Sequence, residues 1–359
     1  MPKPITVLLT GVGSPGAPGV IKSLRAVKEY DFRIIGIDMN PHAAGQVMVD
    51  KFIIGPEAAE PDFVPRLIRL CSAENVDVIL PLVSKELPRF AKCLHRFKKI
   101  GTVVSVSEYN RLMQVMNKGT LIHTLKKKGI PTPRSVIVNT VKGLRKALHD
   151  LGYPDHPVCF KPTVSDGSRG FRILDTQKNR LDPLFNEKPN SAYISDHELF
   201  RILSDCSVIP ETIVMEYLPH EEYSIDLLAR DGEVIVAIPR LREAIVNGIS
   251  VKSTIVKEDD VIAYASRIVR ELRLHGNIGV QICRDKDAQP KIIEINPRIQ
   301  GTIVHCTAAG VNLPYLAVKL AKGIPIHSSE LSVRWGTRMT RYWEEVFWSE
   351  EGLPIQPGI

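Results

Sequence analysis

Gly279-Val280-Gln281-Ile282-Cys283 and Lys291-Ile292-Ile293-Glu294-Ile295-Asn296-Pro297-Arg298 face each other across the short polar turn 285–290. Both runs have strand character, and the turn between them predicts an antiparallel hairpin. Period-two alternation sets Glu294 and Asn296 on one face and Ile293 and Ile295 on the other, with Gln281 opposite Glu294 within a residue or two of register. Three oxygen donors on one sheet face suit Mg²⁺, a hard cation that keeps water and substrate phosphate in its shell. Arg298 follows at once, where it could neutralise a transferring phosphoryl group. A half-exposed hairpin with polar residues outward is the competing reading. The apolar segments at 276–280 and 302–313 weigh against a purely solvated face.

Upstream, Phe160-Lys161-Pro162-Thr163-Val164-Ser165-Asp166-Gly167-Ser168-Arg169-Gly170 ends a buried strand in a lysine and continues as a small-residue loop. Such a loop offers backbone N–H groups to phosphate oxygens, and the lysine adds a point charge. It is not a Walker A sequence. Ile213-Val214-Met215-Glu216-Tyr217-Leu218-Pro219 is a strand running into a proline-ended bend. Its backbone could bond a planar base, and the carboxylates beyond, Glu221 and Glu222, could bond ribose hydroxyls.

The N-terminal third reads differently. Strands are expected at 5–11, 33–38, 51–55, 76–82 and 102–106, with helices at 20–30, 65–74 and 87–96. This βαβ rhythm predicts a parallel, doubly wound α/β sheet. Within it, Gly11-Val12-Gly13-Ser14-Pro15-Gly16 has the GxGxxG form, and Asp38 ends the next strand. Read literally this is a dinucleotide fingerprint, the basis for an NAD-dependent oxidoreductase. Pro15 and Pro18 remove N–H groups that would grip phosphate. A tight strand-to-helix turn is the favoured reading. Pro81-Leu82-Val83-Ser84-Lys85-Glu86 follows a strand end in the same domain, so Ser84 and Glu86 are substrate-site candidates. Ser84 as a helix cap is the plainer alternative.

A helix at 118–128 stops at Gly129-Ile130-Pro131-Thr132-Pro133, and from there the chain is α+β, with strands joined as hairpins. Arg230-Asp231-Gly232 is one such turn. Helices are expected at 141–151, 196–205, 261–272 and 314–321, and the polar stretch 180–192, with two prolines, as a mobile loop.

The 359 residues carry 44% hydrophobic and 24% charged side chains, the composition of a folded globular protein. No stretch is long and apolar enough to span a bilayer, and ITVLL near the start leads into a glycine turn rather than a cleavage site, so the cytoplasm is the expected compartment. The formal charge of +7 suits an anionic ligand. Basic runs such as Lys126-Lys127-Lys128 lack interleaved aromatics, which argues against nucleic-acid binding. Six cysteines without metal or redox spacing are expected to be reduced. His123, His220, His275 and His305 have no distinguishing partner, and no general base is assigned.

The order of these motifs resembles the ATP-grasp superfamily, most of all a single ATP-grasp half of the carbamoyl-phosphate synthase large subunit. The resemblance is carried by GVGSPGAPGVIKSL, NKGTLIHTLKKKGIPTP, the KP…DGSRG loop, MEYL, EEYSID and EINPRIQGT, across roughly residues 1–325. It implies a Rossmann-like pre-ATP-grasp domain (1–115), a two-lobed ATP-grasp domain (116–325, small lobe 133–218, large lobe 219–325 with part of the N-terminal segment) and an aromatic-rich extension (326–359).

By the resemblance, Lys118 and Lys161 would contact ATP phosphates, and the loop Ser165–Gly170, with Gly167 and Ser168, would close over them. Met215-Glu216-Tyr217-Leu218 would hold adenine, Glu216 and Leu218 bonding it and Met215 lining its pocket, and Glu222 would hold the ribose. Gln281, Glu294 and Asn296 would bind one or two Mg²⁺, or Mn²⁺ in its place. Gln281 stands where the family often has Glu, which weakens a metal bond without removing it. Arg298 would contact phosphate at the reacting centre. Arg242, with Arg240 as runner-up, would reach the γ-phosphate or the acyl phosphate. The implied activity is ADP-forming ligation of a small-molecule carboxylate to an amine by a stand-alone enzyme. A carboxylate kinase or a non-catalytic nucleotide-binding module are the alternatives. The C-terminal aromatics Trp335, Tyr342, Trp343, Phe347 and Trp348 are expected to dock against a domain or a second subunit, making a homodimer one expectation.

Overall fold

The computed structural model describes residues 3–165, 169–179, 181–186 and 192–355. The first sheet comprises β1 (Ile5–Thr10), β2 (Phe32–Asp38), β3 (Lys51–Ile54), β4 (Val78–Leu80) and β5 (Val103–Val104). Its order is β3-β2-β1-β4-β5, and each pairing is parallel. Apolar runs form β1 and β4 because both faces are covered: every residue of each is buried. The order reverses between β1 and β4, so the loops after them, beginning at Gly11 and Pro81, flank the switch point of the sheet.

The helix after β1 is Ala17–Arg25, earlier than the expected 20–30. Pro18 sits in its first turn, where the missing N–H costs nothing and the fixed φ favours the helix. The single helix expected at 87–96 is two, Leu87–Ala91 and Leu94–Lys99. Tyr109–Met116 is a helix that the motif reading did not anticipate.

A four-stranded sheet contains β6 (Ser135–Thr140), β7 (Val158–Pro162), β8 (Arg172–Leu174) and β9 (Val208–Glu216), in the order β6-β9-β7-β8. A six-stranded sheet contains β10 (Glu222–Arg230), β11 (Glu233–Val246), β12 (Ile249–Ile255), β13 (Gly276–Arg284), β14 (Pro290–Asn296) and β15 (Arg338–Thr340), in the order β14-β13-β10-β11-β12-β15. Asp231 and Gly232 both have positive φ (50° and 96°), the backbone that a two-residue hairpin turn demands. Asn247 and Gly248 (50° and 79°) do the same between β11 and β12. Part of the stretch expected to be a loop is helical, Leu181–Asn186, while 180 and 187–191 lie outside the described residues.

The chain forms two compact units. One is built from 1–115, 223–281 and 295–359, the other from 116–222 and 282–294. In the first, Val7, Leu9, Val20, Ile34, Leu228, Ile238, Ile255, Ile303 and Leu316 share one core, which unites the parallel sheet with β10–β12 and the helices after β14. The C-terminal segment belongs to this unit: β15 extends the six-stranded sheet by pairing Ser253 with Met339, and Trp348 lies 5.1 Å from the His42 ring. In the second unit, Leu144, Leu148, Val158, Leu174 and Val214 form a separate core. Among the described residues no helix is long and apolar enough to cross a membrane. All six cysteines are free, and burial pushes the Cys159 and Cys283 thiols up to about 12, which keeps them protonated.

Candidate active site

In the unit of 116–222 and 282–294, two lysines converge on one carboxylate. Lys118 opens the helix Lys118–Lys127, whose cap is Asn117: its side chain accepts the Thr120 N–H at 2.9 Å. Lys161 lies in β7 and is buried with Cys159, as their spacing predicts. Glu294 Oε2 is 3.6 Å from Lys118 Nζ and 3.7 Å from Lys161 Nζ. These distances are too long for hydrogen bonds, so the contacts are ion pairs. Both lysine side chains are 8% exposed and Glu294 24%. Burial holds the Lys161 ammonium below the usual lysine range; Glu294 opposes that shift and Lys118 adds to it. Glu222 also bears on Lys161, so the cluster gathers two ammonium groups and two carboxylates of one unit.

The alternation along β14 is partly as expected. Ile295 is buried, but Ile293 is half-buried, and Ile292, on the side of Glu294, is fully buried. A solvated outer face is thereby excluded. Lys118 Nζ also donates to Ser165 O at 2.8 Å, tying it to the start of the loop after β7. Gly167 and Ser168 lie outside the described residues. Glu211 organises this region and carried no sequence signal. Its Oε1 accepts from Thr163 Oγ1 (2.7 Å) and Asn117 Nδ2 (3.1 Å), joining the loop after β7 to the cap of the Lys118 helix.

The segment 215–218 is split in role. Met215 is buried. The Glu216 carboxylate is taken by Arg134, through its N–H and its Nε, both at 2.9 Å, so any contact to a base would come from the Glu216 backbone. The Tyr217 N–H donates to Pro157 O. The Leu218 N–H has no hydrogen bond among the described residues, while Leu218 O accepts from the Cys283 thiol. Glu222 begins β10, and its charge is felt at both Lys161 and Cys283.

The other unit holds the arginines. Arg298 donates through Nε to Ser84 Oγ at 3.0 Å and through Nη1 to Ile299 O at 2.8 Å. Ser84 is therefore no helix cap: the cap position of its short helix is Val83. Glu86 is buried and bonded to the Thr10 hydroxyl, which itself accepts the Leu82 N–H. Burial raises its carboxyl to about 7, with Asp38 assisting and the Thr10 hydrogen bond opposing. Gln281 and Asn296 are half-buried on β13 and β14. Arg242 is folded onto its own hairpin, donating to Ser250 Oγ (3.1 Å) and Gly248 O (2.7 Å). Arg240 is not a surface cation. It is 1% exposed, and its Nε donates to Asp226 Oδ2 at 2.6 Å. His305 is structural, bracketed by Ser253 Oγ and Thr337 O at 3.0 Å each, and burial holds its imidazole below the usual histidine value.

The N-terminal glycines have a packing role. Asp38 Oδ2 accepts the Gly13 N–H at 2.8 Å and Oδ1 accepts the Asn40 N–H at 2.9 Å, so the carboxylate that a ribose would need stabilises the turn. A Cβ on Gly16 would fall 2.7 Å from Gly301 Cα, and one on Gly19 would fall 3.1 Å from the Val304 side chain. The glycine-rich turn thus lies directly against the loop after β14, a few residues beyond Arg298. Gly279 serves the same loop, since a Cβ there would lie 2.2 Å from the Gln300 side chain. Arg341, also unsignalled in the sequence, bonds both partners: Nη1 donates to Pro15 O at 3.1 Å and Nη2 to Gly301 O at 2.8 Å.

Comparison with known proteins agrees with this architecture. Residues 208–341 match a family model described as ATP-grasp in the biosynthetic pathway with Ter operon, and residues 7–105 match the PylC-like N-terminal domain. Among solved structures, the ADP complex of an N5-carboxyaminoimidazole ribonucleotide synthetase superposes with a TM-score of 0.66 at 18% identity, covering 92% of this chain and 80% of that one. Biotin carboxylase from Campylobacter jejuni gives 0.66 at 15% identity, over 94% of this chain and 74% of that one. L-amino acid ligase from Bacillus licheniformis gives 0.61 at 17%, over 92% and 77%. Residues 7–105 thus resemble the PylC-like N-terminal domain and residues 208–341 an ATP-grasp domain, and the superpositions show the fold.

Proposed function

We propose that this protein is an ADP-forming ligase that phosphorylates a carboxylate with Mg-ATP and passes the acyl group to an amine. The observation that carries the reading is the pair of buried lysines, Lys118 and Lys161, gathered on the Glu294 carboxylate. Further support comes from the fold, shared with a synthetase solved with ADP, a biotin carboxylase solved with an ATP analogue, and an amino acid ligase.

The donor set fits magnesium. Gln281, Glu294 and Asn296 are all hard oxygen donors, and the one carboxylate among them leaves room for phosphate oxygens to complete the shell. When bound, the ion would neutralise charge on the β- and γ-phosphates. Lys118 and Lys161 would bind phosphate oxygens, exchanging Glu294 for the nucleotide. The Leu218 N–H and the Glu216 backbone would bond the adenine edge beside Met215 and Tyr217, and Glu222 would take the ribose hydroxyls. Arg298, held by Ser84, and Arg242, released from its hairpin, would offset the charge that develops as the carboxylate attacks the γ-phosphorus. The carboxylate oxygen forms the new P–O bond, the bond to the β-phosphate oxygen breaks, and ADP leaves. The amine then adds to the acyl carbon, loses a proton and expels phosphate. Water must be kept from the acyl phosphate meanwhile, a role for the loop 165–170.

The test is a phosphate-release screen of carboxylic acids crossed with amines, with Mg²⁺ and ATP. Release that needs both an acid and an amine supports ligation. Release that needs the acid alone comes from an acyl phosphate hydrolysed by water after ADP has formed, the outcome for a carboxylate kinase. Nucleotide binding with no release under any pair overturns the catalytic reading.

A further inference from the structure

Three polar side chains tie the two lysine-bearing elements together. Glu211, an exposed residue of β9, accepts the Thr163 hydroxyl at 2.7 Å and the Asn117 amide at 3.1 Å, both on Oε1. Asn117 caps the helix that opens with Lys118, and Thr163 follows Lys161 by two residues. The backbone links the same residues: the Thr163 N–H donates to Glu211 O and the Lys118 N–H to Thr163 O, each at 2.9 Å. Thr163 is therefore the junction between the strand that carries Lys161 and the helix that carries Lys118, and the Glu211 carboxylate holds both sides of it. All these residues lie in the unit of 116–222 and 282–294. The Thr163 bond and then the Asn117 bond hold the Glu211 carboxyl below the usual glutamate range. The lysines themselves repel: the Lys118 charge lowers the proton affinity of Lys161, and Glu294 opposes that effect. A phosphate that displaces Glu294 removes this hold, and the Glu211 bonds then remain to keep the two elements in place.

We propose that Glu211 is a positioning residue for nucleotide binding: through Thr163 and Asn117 it fixes the start of the Lys118 helix against the end of β7, so that both ammonium groups are set for the phosphates. The assignment rests on the reading of Lys118 and Lys161 as nucleotide ligands, and it deepens that reading by naming a residue that touches neither nucleotide nor metal. Without the Glu211 side chain, ordering the helix start would draw on the binding energy of the phosphates, and affinity would fall. The requirement is for an acceptor oxygen rather than for charge. Both donors meet the single atom Oε1, and the oxygen of an amide can accept the same two bonds.

Calorimetric titration of MgADP into the full chain reads the effect. Glu211→Ala should weaken binding about ten-fold, the result of losing two hydrogen bonds to a charged acceptor, whereas Glu211→Gln should stay nearer wild type. Asn117→Ser keeps a capping side chain and loses the amide donor. It should weaken binding by less than Glu211→Ala does, and it should add nothing to the loss in a Glu211→Ala background. Thermal midpoints of the unliganded proteins provide the structural control. A residue that only stabilises the fold would lower the midpoint and leave the affinity of the folded protein unchanged, and that result would overturn the proposal. So would a Glu211→Gln protein that binds no better than Glu211→Ala, or losses that add in the double variant. With an acid–amine pair from the phosphate-release screen, Glu211→Ala should raise KM for ATP about ten-fold and leave KM for the carboxylic acid unchanged; an equal rise in both would count against it. Wild type that fails to bind MgADP would overturn the nucleotide reading and the role of Glu211 with it, whereas wild-type affinity in Glu211→Ala would overturn the role of Glu211 alone.

Discussion

Replacing Glu294 with Gln tests the centre of the site. The carboxylate sits 3.6 and 3.7 Å from two ammonium groups. At an effective dielectric of about 20, each contact is a gross attraction of about 4.5 kcal/mol, most of it offset by the cost of removing three charges from water. Breaking a buried pair by removing one partner costs about 3–5 kcal/mol, and the net loss here should be nearer 2 kcal/mol because Glu294 keeps 24% exposure. Lys161 also loses the group that supports its charge, so its ammonium should titrate lower still in the variant. The functional consequences point in opposite directions. Nucleotide binding without metal should be unchanged or tighter, because ATP phosphates no longer compete with the carboxylate for the lysines. The metal dependence of binding should fall, and turnover should drop about 100-fold or more with the loss of a charged ligand. Calorimetric titration of ADP with and without Mg²⁺, beside phosphate release, reads both. A variant with wild-type turnover and an undiminished response to Mg²⁺ would refute the metal assignment; an unchanged thermal midpoint would refute the ion-pair reasoning.

Other residues give independent checks. Glu86 has a folded pKa raised from 4.5 to about 7, so its protonated form favours the fold. That contribution is full below pH 4.5 and is lost as pH rises through 7, about 3 kcal/mol in all. Glu86→Gln should therefore be more stable than wild type at pH 8 but not at pH 4.5, and parallel denaturation curves at both pH values would contradict this. Gly16→Ala places a Cβ 2.7 Å from Gly301 Cα, whereas Gly301→Ala meets nothing nearer than 3.9 Å. Thermal unfolding should show a loss of about 1–3 kcal/mol for the first and little for the second; equal midpoints would mean that the backbones are not in contact. Asp226→Asn leaves the Arg240 charge buried without its partner and should cost about 3–5 kcal/mol by chemical denaturation, a neutral result showing that the guanidinium is satisfied elsewhere.

Much of this was legible because the signals are local. The β13–β14 hairpin was readable from two apolar runs and a polar turn, and the parallel sheet from alternating strands and helices. Lys161 was readable as buried because Cys159 shares its face. What joins Lys161 to Glu294 is not local: the two are 133 positions apart, and Lys161 Nζ also reaches Ile293 O, 132 positions away. No propensity or spacing encodes that meeting. The GxGxxG turn admitted two readings for a similar reason. Its glycines allow close approach of a backbone, and the sequence does not say whether the visitor is a pyrophosphate or, as here, Gly301. Arg341 looks like one more cation in a charged tail until the carbonyls of Pro15 and Gly301 are seen around it. The sequence likewise does not show that Arg240 is buried and paired with Asp226.

The way the chain is divided has a consequence for biosynthesis. The unit that carries the parallel sheet is assembled from three segments, and the last of them, 295–359, supplies core residues such as Ile303 and Leu316 and the edge strand β15. On a ribosome the first segment would emerge with its apolar faces uncovered and wait for the rest of the chain. The unit of 116–222 and 282–294 needs far less of the sequence still to come and can reach its native contacts sooner. Pulse-proteolysis of nascent chains should therefore find the second unit protected while the N-terminal sheet is still cleaved, so that the last of the three segments to be made is the one that closes the first.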